Sequence, residues 1–506
     1  MSPEEARPSP PDGRPSPAEV LVESVPAAVS LAPGAGGLAL GGELPLDQTG
    51  QTGVESMRAG LLQAGPLAAA GLVANGANVI VTVALARLLD PHSYGVLNQL
   101  TGLFLILSMP GSAVVVAVVR RVTMWHEGGS GHLVRRWAGR IHRRSSLAVL
   151  TWGVVMFALG HSIAGLLGER SAVGCAAILT AAAFFVLLSL DRGLLQARRA
   201  YRPLASNLLV EGGMRTVAVL ALVGAGKGPS GAAVGILIAE ATAAAHARYL
   251  AARAWSGDDH APSLLPRVRL STRAVSARSG WVPALRPDPA LDGSVLGSHR
   301  VRVDLLIASV SLSMVAALQN LDVLIVGRDD PSHSGAYAAV SVTSKAIVFG
   351  AIVLGGYLLP EAAIRWRQGG HALRQLGVVL LLLAIPAVVL LAVALGSPHL
   401  LLKVIFHHAY TGTASSLAPL GGAMVLLSIS VILTMYLLAI GRRWVAGVLV
   451  AGALALGLAV AAVHGRPHAT ALADLAVQAV VLAVVIAGFT VVHGIRLGSR
   501  RPVRLS

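Results

Sequence analysis

Between residues 61 and 493 the chain alternates long apolar runs with short polar breaks. A helix rises about 1.5 Å per residue, so roughly 20 apolar residues cross about 30 Å of hydrocarbon. Runs of that length fall near 61–86, 94–119, 147–167, 172–190, 204–224 and 231–252, and again near 304–327, 335–360, 376–396, 416–438, 444–464 and 471–493. The pattern predicts an all-α polytopic membrane protein with about 12 transmembrane helices in two pseudo-symmetric six-helix bundles. Three stretches interrupt or flank the bundles. Residues 1–58, rich in Pro and poor in aromatics, read as a disordered cytoplasmic tail. They are no signal peptide, because Glu4 and Glu5 stand where a basic region belongs. Residues 253–303 read as a basic cytoplasmic linker between bundles 59–252 and 304–493, and residues 494–506 as a basic cytoplasmic tail.

A short repeat supports the division into halves. Asp90-Pro91 to Gly95 and Asp330-Pro331 to Gly335 share the pattern Asp-Pro-x-x-x-Gly, each between two apolar runs. Asp caps free amides and Pro suits the first helical position, so both copies read as the turn into a helix. A third copy, Asp288-Pro289 to Gly293, lies in the polar linker, so context carries the signal rather than spelling.

Composition fits a membrane protein: 55% of residues are hydrophobic and 13% charged, with a mean hydropathy of +0.71. Soluble domains carry about 25% charged residues. The net charge of +16 follows topology. With the N-terminus cytoplasmic, the outer turns hold one base each, namely Arg87, Arg170, Lys227, Arg328, Lys403 and Arg466. Apart from Arg215 and Lys345 within spans, the remaining Lys and Arg fall inside, as the positive-inside rule requires. No soluble basic domain gathers these charges, which argues against nucleic acid as a partner. One cysteine, Cys175, allows no intrachain disulfide.

Three stretches carry a family resemblance. Ala86, Arg87, Leu89, Tyr94 and Gly95 form the first; Asp191 to Gln196 with Tyr201 the second; and Asn320-Leu321-Asp322, Val326-Gly327, Gly335-Ala336-Tyr337 and Pro360 the third. They resemble the polysaccharide transporter (oligosaccharide flippase) branch of the multidrug/oligosaccharidyl-lipid/polysaccharide (MOP) superfamily. In that pattern the second stretch is the turn between spans four and five, and Pro360 ends span eight. The resemblance implies a MATE-like V of two bundles opening alternately to each side of the plasma membrane, with both termini cytoplasmic. It also implies a cargo, an oligosaccharide on a polyprenyl diphosphate carrier, flipped to the outer leaflet for cell-surface polysaccharide biosynthesis. Other polysaccharide-assembly proteins are implied as partners.

Such a cargo calls for cations at membrane depth. Arg215 lies roughly 14 Å deep in span five and Lys345 at similar depth in span eight. Buried charges there face a cavity or a partner. Both are candidate cargo contacts, with Glu211 and Glu240 as competing ion-pair partners of Arg215. Asn75, Asn78 and Thr82 make one face of span one polar, and Asn75 and Asn78 join the candidate cavity. Glu240, Asp322 and Glu211 are candidates for proton or sodium coupling. The sixteen His include no metal-binding spacing, and no ATP-binding phosphate loop occurs. No catalytic residue, cofactor or metal is expected. Two alternatives stand beside the flippase: a MATE-type drug or organic-cation exporter, and a membrane polysaccharide polymerase. The polymerase suffers from short outer turns, the longest near 397–415.

Overall fold

The structure is a computed structural model and describes residues 53–127, 131–167, 171–256, 299–367 and 373–498. The tail up to residue 52, the linker at 257–298 with its Asp-Pro-x-x-x-Gly copy, and the last eight residues lie outside the described residues. All regular structure among the described residues is helical. The first part contains α1 (Gly53–Leu88), α2 (Pro91–Glu127), α3 (Gly131–Ala158), the short α4 (Gly160–Leu167), α5 (Ala172–Ala197), α6 (Tyr201–Leu222) and α7 (Gly228–Trp255). The second contains α8 (His299–Asp329), α9 (Ser334–Arg367), α10 (Leu373–Gly396), the short α11 (Pro398–Ile405), α12 (Leu417–Ala439), α13 (Trp444–Ala462) and α14 (Pro467–Gly498).

Ten segments among the described residues are long and apolar enough to cross a membrane, and one of them, Tyr201–Trp255, runs through both α6 and α7. α3 is not among them, because its first half carries Arg135, Arg136, Arg140, Arg143 and Arg144. The chain is a multi-pass membrane protein. Helix ends differ from the hydropathy boundaries where a polar extension continues the helix. α1 starts at Gly53, inside the predicted tail, and α9 runs through Pro360 to Arg367. The third predicted span, 147–167, is the outer part of α3 plus the separate α4.

The halves repeat more than the motif showed. In each, the third long helix is followed by an eight-residue helix, α4 or α11. Helices α5, α6 and α7 pack together in the first half, and α9, α12 and α14 in the second. α2 crosses between the halves, packing on α5 behind it and on α8 and α9 ahead. Gly111, next to Pro110, lets α2 approach α5: an added Cβ would meet Ser189 and Phe185 side chains. That pair is a packing feature of the first half.

Candidate functional site

The two repeated turns form the meeting point of the halves. Asp90 caps α2 by accepting from the Ser93 backbone N–H at 3.0 Å, as the sequence predicts. Asp330 accepts from the His333 ring at 2.8 Å and from Ser332 at 2.6 Å. Hydrogen bonds from Ser93 hold the Asp90 carboxyl below its ordinary range. At Asp330 burial pushes upward, but the bonds from Ser332 and His333 outweigh it and the carboxyl is also lowered. The turns then interlock. A Cβ on Gly335 would collide with the Pro91 carbonyl, and one on Gly95 with Ser334. The His92 ring lies 3.2 Å from the Pro331 carbonyl oxygen. One turn deeper, Gln99 Nε2 donates to the Leu324 carbonyl at 3.2 Å and fills the space over Gly327. Each motif glycine is therefore required by the other repeat's turn. This face, the turn face, is closed.

Tyr94, the resemblance residue, is buried in the same closure. Its ring meets Tyr410 edge-on at 5.4 Å and lies 6.1 Å from Phe406. Tyr410 donates its hydroxyl to the Ala86 carbonyl at 2.7 Å, tying the segment after α11 to the end of α1.

Deeper in the first half lies a buried ion network. Arg215 on α6 donates to Glu211 Oε1 at 2.7 Å and to Glu240 on α7. Arg192 on α5 donates to Glu211 Oε2 at 2.5 Å and to Asn207 at 2.8 Å. Asn207 in turn donates to the Ala243 carbonyl at 2.9 Å. Two guanidinium groups and two carboxylates balance, as a desolvated network must. Phe104 of α2 lies against Arg215, its ring centre 5.9 Å from the guanidinium carbon, so the network touches the helix that crosses to the other half.

The second half holds a different cluster. Lys345 on α9 lies 3.7 Å from Asp322 Oδ1 on α8 and donates to Asn320 at 3.2 Å. Tyr337 and Ser341 donate to Asp322 Oδ2 at 3.0 and 3.4 Å. Asp474 on α14 is fully buried within electrostatic range of both Asp322 and Lys345. Its Oδ1 accepts from Gln478 at 3.1 Å, and its Oδ2 has no hydrogen-bond partner in the protein. One basic and two acidic side chains are thus grouped in the second half.

The structure brings together Arg215, Glu211 and Glu240 in one set, and Lys345 and Asp322 in another, each inside its own half. Asn78 is half-buried on α1, and its carbonyl accepts from Thr82 at 2.8 Å. Asn75 belongs to α1, but its side chain lies outside the described residues. Sequence reading missed two members. Arg192 counts there as an inside base in a turn, whereas α5 continues to Ala197 and buries it, together with Asp191. Asp191 pairs instead with His142 at 3.0 Å and Arg248 at 3.6 Å. Asp474 passed unnoticed, although an acid and an amide at i and i+4 in an apolar span form a visible signal.

No protein-family model and no curated protein sequence matches the chain. Solved structures do. A multidrug resistance MATE family transporter of the MOP superfamily, in an inward-facing conformation, superposes with a TM-score of 0.58 at 11% identity, over 83% of this chain and 95% of its own. The fold is that of MOP-superfamily transporters. The lipid II flippase MurJ, in an inward closed conformation, shares it with a TM-score of 0.56 at 12% identity, over 83% of this chain and 87% of its own. A MOP-superfamily transporter from Pyrococcus furiosus gives 0.52 at 12% identity, over 85% and 94%. Within the MOP fold, the closed turn face and the two buried clusters are where this chain places its unusual chemistry.

Proposed function

We propose that the chain is a flippase, with residues 59–252 and 304–493 as the two moving bodies. It carries a polyprenyl-diphosphate-linked oligosaccharide from the cytoplasmic to the outer leaflet of the plasma membrane by alternating access. Both termini are cytoplasmic in this reading. The observation that carries it is Lys345 paired with buried Asp322, with the buried Asp474 within electrostatic range of both. With Lys345 charged, ionising both acids together would leave one excess negative charge, which low dielectric makes costly. Uptake of one cation, a proton or sodium, removes that cost. It also loosens the hold on Lys345, which then becomes available to an anionic diphosphate between the bodies. Arg215, neutralised by Glu211 and Glu240, supplies the matching base in the first body when its carboxylates are engaged elsewhere. The closed turn face supports the alternating-access part, since closure there leaves opening to the other side.

The cargo is tested by loss of the protein, which should trap carrier-linked glycan in the inner leaflet. Normal arrival in the outer leaflet, with no homologue substituting, sinks the flippase reading. The coupling is tested separately by Asp474→Asn in proteoliposomes. Removing this ionisable group should cut the acceleration by an imposed proton or sodium gradient roughly 10-fold, while gradient-independent flipping survives. An unchanged gradient response would exclude Asp474 from coupling. Export of an organic cation is the second reading, favoured by the same two buried acids. Efflux of a lipophilic cation without any change in glycan distribution would select it.

A further inference from the structure

We propose that the pocket between Arg87 and Lys403 on the turn face binds a phosphate-class anion, which bridges the two halves and holds that face closed. The pocket has a volume of about 470 Å³ and opens at the seam. Arg87, Leu89 and Pro91 line it from the first half, and Lys403, His407 and Tyr410 from the second. Outer turns are sparse in bases, yet two of the six outer ones converge here from opposite halves. No acid lines the pocket. Asp90, beside it in sequence, is engaged in capping α2 through the Ser93 amide, and its one negative charge leaves the two bases in excess. Arg87 and Lys403 are exposed and have no ion-pair partner among the described residues. Tyr410 is also spent, donating to the Ala86 and Leu89 carbonyls, so it acts as a fixed wall.

His407 closes the rim at φ 102, in the left-handed region that a side chain rarely occupies. Its Nε2 lies 3.0 Å from His408 Nδ1, so the two rings share a hydrogen bond beside the pocket. Strain retained at a pocket rim points to a constraint on where that ring stands.

The height of the pocket selects the ligand class. α11 buries Leu402 and leaves Leu400 and Val404 60% and 66% exposed. A short helix with an exposed apolar flank and a basic residue lies in the interface plane, with its base among headgroups. In that placement Lys403 stands at the level of lipid phosphates. Arg matches phosphate oxygens with its planar fork, and Lys adds a point charge. Closing the face brings these two like charges to one pocket, and a bound anion removes their repulsion. By linkage, an anion that needs both halves binds the closed state better and stabilises it in proportion. The inference holds whichever cargo is carried.

The test uses the full chain in phosphatidylcholine nanodiscs, carrying Cys175→Ala with His92→Cys and Ser332→Cys spin-labelled across the turn face. At constant ionic strength, pyrophosphate should raise the ratio of closed to open distances at least 5-fold, and so should nanodiscs containing phosphatidic acid. A response to both assigns the class; a response to phosphatidic acid alone assigns a lipid headgroup, and one to pyrophosphate alone a free anion. The same labels on Arg87→Gln with Lys403→Gln should show less than a 1.5-fold response. No response to either probe, an equal response in the double variant, or an equal response to chloride overturns the proposal.

Discussion

Replacing Lys345 with Met lowers the yield of folded protein more than 10-fold, and adding Asp322→Asn restores most of the yield without restoring transport. The yield loss follows from burial. Lys345 is 7% exposed and is the ammonium of a cluster with Asp322 and Asp474. Removing one partner of a buried pair costs about 3–5 kcal/mol, because the remaining charge stays desolvated. That is a large share of the roughly 5–15 kcal/mol that holds a folded domain together. With Asp322→Asn one positive and one negative charge leave together, so the net charge of the cluster matches that of the native protein and stability recovers. Transport does not recover if Lys345 also meets the cargo. Fluorescence size-exclusion reports the yield, and flipping per folded molecule reports the function. Native flipping by the double variant would leave Lys345 with a structural role alone.

Gly335→Ala opens the turn face and slows transport, whereas Gly350→Ala on the same helix does neither. The added methyl at position 335 runs into the Pro91 backbone carbonyl, which no rotamer change can move. At position 350 there is open space. Overpacking of this kind costs about 1–3 kcal/mol, and here the cost falls only on the state in which the turns interlock. The closed-to-open ratio should therefore drop by roughly 5- to 150-fold. A cycle that must visit both states slows accordingly. Spin-label distances across the turns measure the ratio. The closure contact is refuted if Gly335→Ala leaves those distances as they are in the native protein.

Much of the architecture was legible along the chain. Hydropathy located the long helices to within a few residues at most ends, and the Asp-Pro-x-x-x-Gly pair marked equivalent turns in both halves. It failed where polar residues prolong a helix, as in the Arg-rich start of α3, and where a span breaks, as between α3 and α4. The candidate site was legible in part. Arg215 with Glu211 shows as an i, i+4 pair, and Glu240 as an acid at matching depth. Arg192 was hidden, because a base near a helix end looks like a topology signal until α5 is seen to bury it.

Residue order alone determined the membrane class, the rhythm of spans, the repeat and the expected side of the basic residues, because each depends on local composition or on charge summed along the chain. Only the tertiary structure decided that Gly335 sits on Pro91, that Arg87 and Lys403 share a pocket, and that Lys345 pairs with Asp322. Those facts depend on how each helix is rotated and which neighbour it packs against. Hydropathy fixes a helix's place across the membrane and leaves that rotation open, so packing between residues far apart in sequence must set it.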